Sequence, residues 1–150
     1  MSKDIRVFKF GGASVKDAAA VLNVADIIRN HKHGHLLVVV SAMGKTTNKL
    51  EAIFEAFLQK NKEAFDKESN ELKNFHVTIA EALFKGAHFS ELKKTIDEYF
   101  EEIGSFFDRN KDENISFLYD QLIPYGEILS TKIIHHCLLH SDVKSAWLDA

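Results

Sequence analysis

Three short clusters hold the residues whose types and spacing could do chemistry. The first is Lys9-Phe10-Gly11-Gly12-Ala13-Ser14-Val15. Paired glycines at a turn let backbone N–H groups come close to an anion, and a helix start adds donors that lack acceptors of their own. Lys9 brings a full positive charge to the same edge. Lys9, Gly11, Gly12 and Ser14 therefore suit a phosphate cradle. They suit an ordinary strand-to-helix turn as well, and the residues alone leave both readings open.

The second cluster is Ser41-Ala-Met-Gly-Lys-Thr-Thr-Asn48, a polar loop that follows an apolar run and leads into a helix. Open α/β sheets bind ligands beyond the carboxyl ends of their strands, so two polar loops on neighbouring strands reinforce each other. Met43-Gly44-Lys45-Thr46 invites comparison with a P-loop. That motif needs a glycine where Val39 stands, inside the strand, so the comparison fails. The third cluster is Tyr125-Gly126-Glu127. A carboxylate in a first helical turn is favoured by the helix dipole alone, and it could also receive a substrate ammonium group.

Histidine and cysteine add no assigned site. His31, His33 and His35 alternate around Gly34, across a helix end and a strand start, where side chains need not converge as zinc requires. His136 and His140 share a helical face with His135 nearby, but no acidic or cysteine ligand completes a set. No metal ligand is assigned. Cys137, beside apolar helical neighbours, reads as a packed thiol.

The elements that must position these clusters follow from periodicity. Ile5 to Phe10 alternates apolar and polar residues and ends in glycine, the pattern of a strand and tight turn. Ser14 is placed to cap a helix whose apolar face is Val15, Ala18, Ala19, Leu22, Ala25 and Ile28, down to about Asn30. Leu36 to Val40 is a continuous branched run, which predicts a strand covered on both faces. This βαβα order implies a parallel sheet between helices. From about Lys49 to Arg109 the spacing is helical throughout, with a core stripe of Leu92, Ile96, Tyr99, Phe100, Ile103, Phe106 and Phe107. Lys111 to Asn114 reads as a surface turn. A helix is expected from near Pro124 to about Leu139 through Ile128, Leu129, Ile133 and Ile134, and Val143 to Asp149 reads as a third strand.

Composition narrows the function classes. With 150 residues, 45% of them hydrophobic and 27% charged, the chain can bury a core of its own and is globular rather than disordered. A net charge of -3 gives no general attraction to nucleic acid or anionic membrane. The single cysteine precludes an internal disulfide and suits a reducing compartment. No apolar run approaches the roughly 18 residues that span a bilayer, and Met1-Ser-Lys-Asp lacks a secretory apolar stretch. A cytoplasmic protein without nucleic-acid or membrane partners is the expectation.

Together the clusters resemble the aspartate kinases of the amino acid kinase superfamily. Lys9 to Val15 resembles the family's K-F-G-G-[TA]-S-V opening, with Ala13 in place of the commoner threonine. Val40 to Asn48 resembles V-S-A-x-x-x-x-T-N, and Tyr125 to Thr131 resembles [SY]-[HY]-G-E-x-x-S. Trp147-Leu148-Asp149 is similar to the strand that follows. The resemblance implies a parallel-sheet αβα sandwich with a largely helical insertion, cut before the domain is complete. About 1–48 would be the βαβ part with its loops, about 49–115 the helical region, and about 116–150 a helix and strand. It implies transfer of phosphate from ATP to the side-chain carboxylate of L-aspartate, the first step of lysine, threonine and methionine biosynthesis. Lys9 would be catalytic and, with Gly11, Gly12 and Ser14, would hold the ATP phosphates. Ser41, Thr47 and Glu127 would bind aspartate, and Mg²⁺ would ride on the nucleotide phosphates. The full-length parent is expected to be a homo-oligomer, and the fragment itself inactive. Two alternatives stand: a sibling kinase for glutamate, carbamate or a nucleotide, and a non-catalytic piece that self-associates through an exposed sheet edge.

Overall fold

The computed structural model describes residues 5–31, 34–110 and 114–149. Met1 to Asp4, His33, most of the turn expected at Lys111 to Asn114, and the Phe107 side chain fall outside the described residues. In chain order the elements are β1 (Ile5–Phe10), a 3-10 turn (Gly12–Val15), α1 (Ala18–Asn30), β2 (His35–Val40), α2 (Thr46–Leu58), α3 (Lys62–Leu83), α4 (Gly86–Arg109), α5 (Ile115–Leu122) and α6 (Tyr125–Leu139). They form two compact units, one of Met1–Gly44 with Glu127–Ala150 and one of Lys45–Gly126.

In the first unit β1 and β2 pair in parallel, in a register running from Ile5 opposite His35 to Phe10 opposite Val40. Parallel pairing needs a crossover, and α1 is that crossover. Phe8 meets the His31 ring edge-on at 5.3 Å, which turns this sheet face toward the end of α1. The opposite face is open: Ile5, Val7, Leu37 and Val39 are 67, 60, 44 and 43% exposed. The expectation that β2 is covered on both faces is thus corrected for this chain. Helix α1 buries Val21, Val24, Ala25 and Ile28 and leaves Leu22 exposed, so its apolar stripe is rotated from the one expected. Its cap also differs. Asp17 accepts a hydrogen bond from the Ala20 N–H at 2.8 Å, while Ser14 lies inside the preceding 3-10 turn. The Asp17 carboxylate, immediately before the helix, captures a free amide of the first turn that Ser14 does not.

The third strand does not form. Residues 143–149 have no regular structure, and the sheet of the described residues has two strands. A strand needs a neighbouring edge for its backbone groups, and a strand-like composition alone does not supply one. Side chains tie this segment to α6 instead. Trp147 Nε1 donates to Thr131 Oγ1 at 2.9 Å, Lys132 Nζ lies 3.2 Å from the Trp147 ring centre, and His135 Nδ1 is 3.1 Å from Ser145 Oγ.

The second unit is all helix. The expected helical stretch is divided at Gln59-Lys60-Asn61 and at Phe84-Lys85. Lys60 takes φ +54°, a left-handed conformation that glycine adopts more readily, so its sequence carries no usual stop signal. Asn61 then caps α3 by accepting from the Ala64 N–H at 3.0 Å. The core stripe of α4 is as expected: Leu92, Ile96, Phe100, Ile103 and Phe106 are buried and Tyr99 half-buried. Between α2 and α3, the Lys49 ammonium bridges Glu68 and Glu71 at 2.6 and 2.7 Å.

Candidate functional site

Backbone bonds join the first two clusters where β1 and β2 end. The Ser41 N–H donates to the Phe10 carbonyl at 2.9 Å, and the Gly44 N–H donates to the Gly12 carbonyl at 3.0 Å. A Cβ on Gly12 would lie 2.7 Å from the Ala42 carbonyl oxygen and 3.1 Å from that of Gly44. Only glycine fits there. Gly44 takes φ +54°, so the second loop uses its glycine for a left-handed turn. Gly11, by contrast, has open space around its Cβ position, and Lys9 and Ser14 are exposed.

The third cluster reaches the same place through a residue that pattern reading passes over. Ser130 is fully buried, and its hydroxyl donates to the Ser41 carbonyl at 2.8 Å. A serine on the face that also carries the buried Leu129, Ile133 and Ile134 was the available signal, since a buried hydroxyl must find an acceptor. Glu127, two residues into α6, is half-buried and follows the buried Gly126. The first unit therefore gathers Gly12, Ser41 and Ser130.

Thr47 belongs to the second unit, in the first turn of α2. The second loop is accordingly shorter than expected, ending at Lys45 rather than Asn48. The first cluster likewise opens into a 3-10 turn rather than an α-helix. In it the Ser14 N–H bonds the Gly11 carbonyl at 2.9 Å, and the Gly12 and Ala13 amides have no acceptor within the turn. With Lys9 and the Ser14 hydroxyl these are donors, a set that fits phosphate oxygens. The cluster contains no carboxylate, so it offers Mg²⁺ no anionic oxygen of its own.

Several ionisable groups are shifted. Tyr125, at the start of α6, donates its hydroxyl to a Glu102 carboxylate oxygen at 2.8 Å, and burial together with Glu102 pushes its pKa up to about 12. His76, on α3, is fully buried, and burial pushes its pKa down to about 4. Burial raises the Cys137 thiol above its ordinary range, in keeping with a packed rather than nucleophilic cysteine.

A two-stranded parallel α/β unit whose first glycine turn is bonded to the loop of the next strand has counterparts among known proteins. Residues 4–150 match the model of the amino acid kinase family, and the chain belongs to that family. Its fold is the α/β fold of that family, here with a large helical segment. Among relatives, it is 31% identical to lysine-sensitive aspartokinase 3 of Escherichia coli over 97% of this chain and 31% of that protein. It is 30% identical to the chloroplastic aspartokinase 2 of Arabidopsis thaliana over 96% of this chain and 26% of the relative. The crystal structure of E. coli aspartokinase III in complex with aspartate and ADP superposes with a TM-score of 0.83 at 28% identity, covering 97% of this chain and 31% of the other. The complex with lysine and aspartate gives 0.80 at 27%, over 95% of this chain and 30% of the other. The chain spans less than a third of the length of these relatives.

Proposed function

We propose that the chain carries the first part of the active site of an aspartate kinase, which transfers the terminal phosphate of ATP to the side-chain carboxylate of L-aspartate. The observation that carries this reading is the joining of the clusters: Gly12 against the Ala42 and Gly44 backbone, and Ser130 on Ser41. Sequence-distant segments that meet at the carboxyl ends of parallel strands mark the ligand side of such sheets. That a related structure holds aspartate and ADP supports the choice of substrates.

In this reading Lys9, the Gly11 and Gly12 backbone and the Ser14 hydroxyl hold the nucleotide phosphates. Ser41 and Thr47 offer hydroxyls to aspartate, and the Glu127 carboxylate receives its ammonium group. A carboxylate oxygen of aspartate attacks the terminal phosphorus, the bond to the ADP oxygen breaks, and an acyl phosphate and ADP result. Mg²⁺ bound with the nucleotide would supply charge neutralisation, while Lys9, Gly11, Gly12 and Ser14 offer it no carboxylate. The Lys9 ammonium acts on the same charge, and no covalent intermediate on the protein is needed.

The test is a hydroxylamine trap for acyl phosphate in the full-length protein, with aspartate, glutamate, carbamate and nucleotide acceptors compared. Signal with aspartate that falls by orders of magnitude in Lys9→Ala is expected. Signal with another acceptor alone would move the protein to a sibling activity, and an active Lys9→Ala would remove Lys9 from the site.

A further inference from the structure

Inside the helical unit, two polar side chains that the mechanism above does not use are buried against each other. Thr46, the first residue of α2, is 2% exposed, and His76, in the middle of α3, is 0% exposed. His76 Nδ1 lies 2.9 Å from the Leu72 carbonyl oxygen. A carbonyl only accepts, so Nδ1 carries the proton and Nε2 presents its lone pair. The Thr46 hydroxyl lies 3.5 Å from that Nε2, the long end of the hydrogen-bond range, and can only be the donor. The ring is held between neighbours, with Phe75 at 5.1 Å and Phe100 at 6.1 Å between ring centres. Burial that keeps the imidazole neutral near pH 7 preserves the acceptor.

The first turn of α2 is also tied to α3 by the more exposed Lys49 bridge to Glu68 and Glu71, whereas the Thr46 contact to His76 is buried. The cap position of α2 is Lys45, whose side chain makes no capping bond. Aspartate recognition in the reading above depends on where this turn holds Thr47, and small misplacements of a binding group are costly. We propose that His76 is a positioning residue: by accepting the Thr46 hydroxyl it fixes the first turn of α2 and, through it, Thr47 for the aspartate substrate. A lone histidine within an apolar helical face is otherwise read as core, and the bond to Thr46 separates the two roles. The inference rests on the aspartate kinase reading.

The experiment is steady-state kinetics on the full-length protein with Thr46→Val, Thr46→Ser, His76→Leu, His76→Gln and the Thr46→Val/His76→Leu double variant. Loss of one buried hydrogen bond should raise the aspartate KM about fivefold in Thr46→Val and in His76→Leu, with the ATP KM nearly unchanged. The double variant should be no worse than either single, because both remove the same bond. Thr46→Ser keeps the donor and His76→Gln can present an amide oxygen near the position of Nε2, so both should stay close to wild type. An unchanged aspartate KM in Thr46→Val, additive effects in the double variant, or equal behaviour of His76→Leu and His76→Gln would overturn the pairing. Wild-type activity separates the two ideas. Active wild type with an indifferent Thr46→Val sinks the positioning role alone, whereas wild type inactive with aspartate sinks the kinase reading and this inference with it.

Discussion

A methyl group on Gly12 would press on the Ala42 carbonyl oxygen at 2.7 Å, and that oxygen belongs to backbone that cannot swing aside. Gly12→Ala should therefore cost stability of about 1–3 kcal/mol, the range for forced overpacking, with a matching drop in the denaturant midpoint. Gly11→Ala meets open space and should leave the midpoint nearly unchanged. If the two variants behaved alike, the close approach of the loops would be wrong. Glu127→Gln keeps the shape and removes the charge, so the aspartate KM should rise while that of ATP holds. A rise for ATP instead would move Glu127 to the nucleotide side. His76 has a pH signature of its own. Its folded pKa of about 4 lies below the ordinary 6.5, so between these values the unfolded chain binds more protons. Stability should be unaffected by His76 above pH 6.5 and should fall as pH drops toward 4, by up to about 3 kcal/mol. Glu71 and Asp97, held below the usual carboxylate range chiefly by hydrogen bonds from Lys49 and Lys73, act in a more acid range. Denaturant midpoints at pH 7 and 4.5 should converge in His76→Leu, and an undiminished acid loss there would exclude His76 as its source.

Helix α1 allows a contest between two candidate caps. Asp17 accepts the Ala20 amide, so Asp17→Ala should cost about 1 kcal/mol and lower the melting temperature, whereas Ser14→Ala should stay within a few tenths. The reverse ranking would restore the cap read from the sequence. That reading placed the helix correctly and its start wrongly, because serine and aspartate both cap and only the path of the 3-10 turn decides between them. Both strands and α1 were legible from local apolar patterns, and α6 from its start near Pro124 and the apolar residues that follow rather than from a one-sided stripe. The breaks within the helical stretch were less so, since Lys60 makes a left-handed turn without glycine. Residues 143–149 show the opposite failure. Val143 to Asp149 reads as a strand in the sequence, but pairing is a property of the neighbour, and here Thr131, Lys132 and His135 hold the segment through its side chains. Within the site, glycine and the charged residues drew notice by type. Ser130 did not, nor did His76 outside it, because a polar residue on an apolar helical face reveals its purpose only when its partner, far along the chain, is in place.

At the scale of the whole molecule, the open sheet face and the small share of its relatives that the chain spans lead to one expectation for residues 1–150 on their own. The chain has cores in both units, among them Val21, Val24 and Ile133 in one and Leu50, Phe65, Leu92 and Ile96 in the other, so it should fold. Ile5, Val7, Leu37 and Val39 nonetheless leave an exposed apolar strip on a sheet that has two strands among the described residues. Such surfaces pair with copies of themselves when nothing else covers them. Residues 1–150 should therefore elute from a sizing column larger than a monomer, in a concentration-dependent way. Val7→Lys with Val39→Lys should return them toward monomer, because charges on the strip oppose pairing while leaving the other face intact. Catalysis should be absent. Phosphoryl transfer requires two substrates held in line, and a misplacement of about 1 Å already costs about a hundredfold. The relatives that bind aspartate with ADP or lysine are more than three times as long as the stretch this chain matches. Purified residues 1–150 with ATP, Mg²⁺ and aspartate should give no more hydroxylamine-trapped acyl phosphate than their Lys9→Ala variant. A clear excess over that control would mean that these residues hold a sufficient site, and the charged double variant would then tell whether association completes it.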